Sequence, residues 1–267
     1  MKSVHAITGS EFPVLNPYYW STRNFVKRAL WDLNPESWRS RRKVKKLRDV
    51  HKGKKAVILC NGPSLLDIDL NALDGVFTFG LNKINLLFGK TSFRPSCIVA
   101  VNPYVIEQNM DFYNETELPL FVDQVAIKLG IRKSQNKMFL SSSNIMYFAR
   151  DCSMSICQGF TVTYVALQLA YHMGFREVAL IGCDHDFSGD AKPNELLKQD
   201  TRDLSHFDPD YFSTGQHWQY PDLKKSEAFY SLAKQVFECS GGGVYNSSTK
   251  TKLDVFPRMS IDRFLGA

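Results

Sequence analysis

With 267 residues the chain is long enough to bury a full core as one large α/β domain with an appendage. Its hydrophobic share of 44% and charged share of 22% are those of an ordinary globular protein, and no apolar run approaches the roughly 20 residues of a membrane-spanning helix. The net charge of +6 is lopsided: from Arg23 to Arg48, ten Lys or Arg stand against Asp32 and Glu36 alone, so the positive excess belongs to the N-terminal stretch.

Met1 to Pro13 carries no basic segment followed by an apolar one, so no secretory leader is expected and the expected compartment is the cytoplasm. Residues 14–51 interleave Tyr18, Tyr19, Trp20, Phe25, Trp31 and Trp38 with the cations. Phe25, Val26, Ala29, Leu30 and Leu33 recur at helical spacing, and Pro35 divides the stretch into two helices. Residues 1–51 therefore read as a basic, aromatic helical arm. Such an arm packs on its domain with a solvated basic face, or lies on an anionic inner membrane surface; nucleic acid fits it least.

Residues 52–267 read as one Rossmann-like α/β domain. Ala56 to Cys60 is a strand covered on both faces, and Asn61-Gly62-Pro63-Ser64 breaks it. The break gathers backbone N–H groups, an amide and a hydroxyl at the carboxyl end of a strand, where open α/β sheets take ligands and where donors suit an anion. Leu65 to Leu73 is expected as a short helix, with Ser64 or Asp67 as its cap. Gly75 to Gly80 and Ser96 to Val101 follow as strands, ending at Asn82 and Asn102. Three successive strands stopping on Asn61, Asn82 and Asn102 point three amides at one rim if the strands are parallel.

Leu118 to Val122 and Lys137 to Leu140 are further strand candidates, with Gln124 to Leu129 a helix between them. Gly159-Phe160-Thr161 precedes a long helix from Val162 to Met173, which Gly174 closes, and Glu177 to Cys183 is a buried strand ending on Asp184-His185-Asp186. This repeat predicts a doubly wound, mostly parallel sheet. Residues 188–222, polar with interspersed aromatics, are expected as a lid. A helix from Lys225 to Cys239 and a strand at Val244 to Asn246 complete the chain. The six cysteines form no Cys-x-x-Cys pair and read as free thiols, not as disulfides or metal ligands.

Asn61-Gly62-Pro63-Ser64-Leu65, the helix Thr161 to Ala170 running into Gly174-Phe175, Ile181-Gly182-Cys183-Asp184, Ser205-His206-Phe207 with Pro209, Tyr211 and Phe212, Val244-Tyr245-Asn246 and Val255-Phe256-Pro257-Arg258 together resemble the MptE-like family. Its named archaeal member is a hydroxymethylpterin pyrophosphokinase. The same framework is similar to the bacterial sialyltransferases of glycosyltransferase family 42 and to the flagellin glycosylation factors. The resemblance covers about residues 54–260.

It implies that Asn61, Gly62, Pro63 and Ser64 lie beside the nucleotide phosphate and ribose of a nucleotide sugar, a CMP-linked one favoured. It makes Asn82 and Asn102 further ligands and sets the turn Gly159, Phe160, Thr161 and Thr163 against the nucleotide, with Asp184 at the next strand end. A lid histidine, His217 or His206, would be the base. Imidazole suits the removal of an acceptor hydroxyl's proton at neutral pH, while the leaving nucleotide phosphate needs hydrogen-bond donors. The implied acceptor is a surface glycolipid or polysaccharide.

Where the sialyltransferases have tyrosines, this chain has His185 and Asp186, and Asp184 with Asp186 would suit Mg²⁺. That departure keeps open a second reading, a pyrophosphokinase transferring diphosphate from ATP. No dedicated protein metal site is otherwise expected.

Overall fold

The computed structural model describes residues 16–143, 145–187 and 191–266. Two capped helices come first. The Asn16 side chain accepts from the N–H groups of Tyr18 and Tyr19 at the start of α1 (Pro17–Asp32), and Asn34 accepts from Glu36 N–H at the start of α2 (Pro35–Lys46). Proline at the first helical position of each costs no hydrogen bond.

Strands β1 (Lys55–Leu59), β2 (Phe77–Leu81) and β3 (Cys97–Ala100) follow. Between β1 and β2 the expected helix is two short 3₁₀ turns, Pro63–Asp67 and Leu70–Leu73. Ile68 is extended and Asp69 caps the second turn through Asn71 N–H, so the backbone restarts instead of continuing. Asn102 opens α3 (Pro103–Gln108), which leads through Asn109 into α4 (Met110–Glu115); the apolar pattern had suggested neither helix. Then come β4 (Leu120–Asp123), α5 (Val125–Leu129), β5 (Lys137–Leu140) and two short paired strands, β6 (Ser142–Ser143) and β7 (Ile156–Cys157). The chain continues through α6 (Val162–His172), β8 (Glu177–Ile181), the antiparallel pair β9 (Leu196–Lys198) and β10 (His217–Gln219), α7 (Leu223–Glu238), β11 (Gly243–Asn246) and α8 (Ile261–Leu265).

Seven strands form one sheet in the order β11-β8-β1-β2-β3-β4-β5, every neighbour parallel. This is the Rossmann-like α/β fold expected from the pattern. Side chains alternate between two apolar layers. Ala56 and Ile58 of β1 join Val178 and Leu180 of β8 and the buried face of α6 on one side, while Val57, Leu59, Ala179 and Ile181 lie on the other. The chain winds outward from β1 to β5, then returns to insert β8 on the opposite side of β1. The strand order therefore reverses between β1 and β8, where the connections diverge and leave a crevice at the carboxyl ends.

Helix α2 seals the β5 edge. Phe139 N–H donates to Ser40 Oγ at 2.9 Å, Arg39 donates to the Lys137 carbonyl at 2.7 Å, and Glu36, Ser37, Ser40 and Val44 are buried. A side chain thus satisfies a backbone donor on a strand that has no further strand beside it. The segment expected as a lid is also part of the packing. Phe207, Tyr211 and Phe212 are buried in the core, and Trp218 stacks on Phe212 at 5.3 Å. Five of the six cysteines are buried and Cys239 is exposed, all as free thiols. Among the described residues no helix is long and apolar enough to cross a membrane.

Candidate active site

The carboxyl ends of the strands open onto a cavity of about 650 Å³. Asn61, Asn82 and Asn102, at the ends of β1, β2 and β3, all line it, so the parallel winding brings three residues distant in sequence to one wall. They are not equivalent. The Asn102 side-chain oxygen is occupied in capping α3, accepting from Tyr104 N–H at 2.9 Å. The side-chain oxygens of Asn61 and Asn82 are buried without a hydrogen-bond partner among the described residues. A buried amide oxygen left unpaired costs about 1–3 kcal/mol, which a donor arriving in the cavity would relieve. Asn82 holds a left-handed backbone, φ 48°, and the Tyr113 hydroxyl donates to its carbonyl.

The loop after β1 is locked to the loop after β8. Gly62 N–H donates to the Gly182 carbonyl at 2.8 Å, Ser64 N–H donates to Asp184 Oδ2 at 2.8 Å, and the Ser64 hydroxyl donates to Asp184 Oδ1. The closeness of this clamp explains the glycine: a Cβ on residue 62 would sit 2.6 Å from Asp184 Cγ and 2.7 Å from the Gly182 oxygen. Gly62 and Asp184 line the cavity; Pro63 is exposed and Ser64 is buried behind the carboxylate. Burial pushes the Asp184 carboxyl above its ordinary range, against the opposing pull of the two Ser64 bonds.

The turn before α6 supplies the facing wall. Gly159 and Phe160 take successive left-handed conformations, φ 58° and 61°, and Thr161 caps the helix by accepting from Thr163 N–H. All four residues line the cavity. The α6 N-terminus therefore opens into it, a favourable place for a phosphate. Phe160 is 46% exposed at the rim, with the Lys225 ammonium 4.9 Å from its ring centre.

The two candidate bases part company. His206 lines the cavity, its ring stacked on Tyr211 at 3.9 Å and nearly parallel to it, with Nδ1 2.7 Å from Asp203 Oδ2. Asp203 is buried and also accepts from Ser205 N–H. With Nδ1 held by a carboxylate, the ring presents Nε2, which has no hydrogen-bond partner among the described residues. His217 lies on β10, its side chain exposed and away from the cavity lining, and its carbonyl accepts from Gln108 at 2.6 Å.

Three features of this site escaped the sequence reading. Lys83, directly after Asn82, is buried and donates to the Tyr211 carbonyl at 2.6 Å and to Gln216 at 3.2 Å, with Phe212 at 4.9 Å. Burial lowers its pKa to about 8, and the nearby Asp203 charge opposes that shift. The Asn61 carbonyl accepts from Phe207 N–H at 2.8 Å, tying the first strand loop to the histidine segment. Asp123, at the end of β4, accepts from Val125 N–H, the Ser142 hydroxyl and Gln158 Nε2, and so fixes Gln158 in the cavity wall.

Asp184, His185 and Asp186 all line the cavity, and each is engaged by a different partner. Asp184 holds Ser64, His185 meets Glu227 at 2.9 Å, and Asp186 meets Lys252 at 2.9 Å. His185 itself holds a left-handed backbone, φ 55°. No cluster of three His, Cys, Asp or Glu suited to a metal ion occurs among the described residues.

Comparison with known proteins agrees with this architecture. The family model described as 6-hydroxymethylpterin diphosphokinase MptE-like matches residues 33–190. The solved structure of the MAf glycosyltransferase from Magnetospirillum magneticum AMB-1 shares the fold, with a TM-score of 0.50 and 15% identity over 84% of this chain. The chain spans 38% of that protein's chain. No curated protein matches.

Proposed function

The chain belongs to the MptE-like family, and from that premise we propose that its cavity is the active site of a transferase moving a sugar from a nucleotide-activated donor to an acceptor hydroxyl. The observation that carries this reading is the Asp203–His206 pair on the wall of the cavity that also receives the α6 N-terminus. Asp203 fixes Nδ1, and His206 Nε2 takes the acceptor's proton as its oxygen attacks the anomeric carbon. The bond from that carbon to the donor phosphate breaks, and the leaving phosphate carries the negative charge away. The α6 N-terminus offers its positive end to that charge without a proton, while the N–H groups of Gly62 and Ser64 stay bonded to the Gly182 carbonyl and Asp184. The unpaired oxygens of Asn61 and Asn82 suit the amino and hydroxyl donors of a nucleoside. A CMP-linked nonulosonate remains the favoured donor, with a surface glycolipid or polysaccharide as acceptor.

The family description favours a second reading, diphosphate transfer from ATP to a hydroxymethyl compound. Mg²⁺ would supply charge neutralisation of the phosphates in that chemistry. The residues present fit it only in part: Asp184 and Asp186 line the cavity, but Ser64 donates to one and Lys252 to the other. Titration calorimetry of the chain with CMP and with ATP, each with and without Mg²⁺, separates the two. The glycosyl reading expects CMP to bind tighter and without need of the metal. Tighter ATP binding that requires Mg²⁺ would transfer the assignment to the diphosphokinase reading.

A further inference from the structure

The exposed face of α1 is built like a helix that lies in a lipid headgroup layer. Tyr18, Phe25, Val26, Leu30 and Leu33 recur at helical spacing and are 83%, 73%, 47%, 67% and 73% exposed. Trp31, on the opposite side of the same helix, is buried against the domain. The stripe is thus an outward face, not a misplaced core face. Single exposed apolar residues are ordinary, but a contiguous helical stripe of them is not.

Charge selects the occupant. Arg23 and Lys27 flank the stripe along one side of α1. On α2, Trp38 is exposed with Arg42 and Lys45 one and two turns further along the same face, and its ring N–H bonds the Asp32 carbonyl where α1 ends. An apolar stripe bordered by cations and an amphipathic indole matches acyl chains beneath anionic headgroups. A protein partner of core-like character would bring no negative charge to face Lys27, Arg42 and Lys45.

The patch continues toward the cavity. Arg28 donates to the Met154 carbonyl at 2.7 Å, and Ile145, Met146 and Met154 are themselves exposed. Ile145 N–H bonds the hydroxyl of Ser143, which lines the cavity. We infer that α1, with Trp38 and the 145–154 loop, docks the protein on an anionic bilayer with the cavity mouth beside the membrane surface. The docking itself does not depend on the chemistry assigned to the cavity.

The test is sedimentation of the full chain with vesicles of phosphatidylcholine alone and of phosphatidylcholine mixed with phosphatidylglycerol. Wild type is expected to sediment with the mixed vesicles and to be released as salt rises. Phe25→Glu with Leu30→Glu weakens binding at least about tenfold, Lys27→Glu with Arg42→Glu weakens it less, and circular dichroism shows both variants folded. Two results overturn the inference: wild type left in the supernatant with both vesicles, or a dimer by light scattering that Phe25→Glu with Leu30→Glu splits. Turnover of a soluble acceptor is unchanged in the Phe25 and Leu30 variant. Loss of vesicle binding and loss of the transferase reading are thereby read separately.

Discussion

His206 and His217 belong to the same polar stretch, yet their surroundings share almost nothing. The His206 segment is stitched to the body at three points, Phe207 N–H to the Asn61 carbonyl, Lys83 to the Tyr211 carbonyl and Lys90 to Asp208, and the buried Asp203 holds the ring from within the segment. The β9–β10 hairpin that carries His217 reaches the body through Gln108 and Trp218 and leaves the imidazole exposed. The contrast teaches that the place of His206 on the cavity wall rests on two sets of contacts, Asp203 and Tyr211 within its own segment and the long-range bonds from Asn61 and Lys83 that seat the segment.

The sharpest way to break the contrast is His206→Ala, expected to lower kcat by about 10²- to 10⁴-fold, the usual worth of a positioned base. Steady-state assays on His206→Ala and His217→Ala side by side measure it; equal losses would abolish the distinction. Next comes Gly62→Ala, which forces the added methyl against Asp184 and the Gly182 oxygen. Overpacking of that kind costs roughly 1–3 kcal/mol, read as a fall in the urea midpoint with an unchanged slope. Asp203→Asn keeps the shape of the dyad and removes its charge. A fall of about tenfold in kcat is expected, equivalent to the roughly 1.5 kcal/mol of one charge-assisted hydrogen bond, while the urea midpoint moves little.

Lys83 tests the stitching through pH. Its folded pKa of about 8 lies below the unfolded value of 10.5, so across that interval the unfolded chain holds more protons and this group makes stability rise with pH. Comparing denaturation of wild type and Lys83→Met at pH 8 and pH 10 should reveal that rise in wild type alone. The smallest effect is expected for His217→Ala, a stability change within about 0.5 kcal/mol. It removes an exposed ring and keeps the backbone bond from Gln108.

Most of the sheet was legible in the sequence because strands buried on both faces write themselves as unbroken apolar runs, as Val57-Ile58-Leu59 and Val178-Ala179-Leu180 do. The shared rim of Asn61, Asn82 and Asn102 was legible for the same reason, since parallel strands fix where their ends point. Lys83 was not: a lysine after a strand reads as solvated, and only contacts with residues far along the chain bury it. That the arm could pack on its domain was among the expected placements, but the seat of α2 on β5 was not legible, because Ser40 and Arg39, which bind that strand, carry no pattern of their own. Helices α3 and α4 were hidden behind Asn102-Pro103, a pair that serves equally as a turn or as a cap with proline at the first position.

The late insertion of β8 beside β1 has a cost during synthesis. As the chain leaves the ribosome, β1 to β5 are able to pair in order, but the other side of β1 stays open until residues 177–181 emerge. Throughout that interval Val57, Ile58 and Leu59 border an unpaired, apolar strand edge, the kind that recruits other nascent chains. Slow elongation between β5 and β8 would prolong that exposure, and a chaperone holding β1 would shorten its consequences.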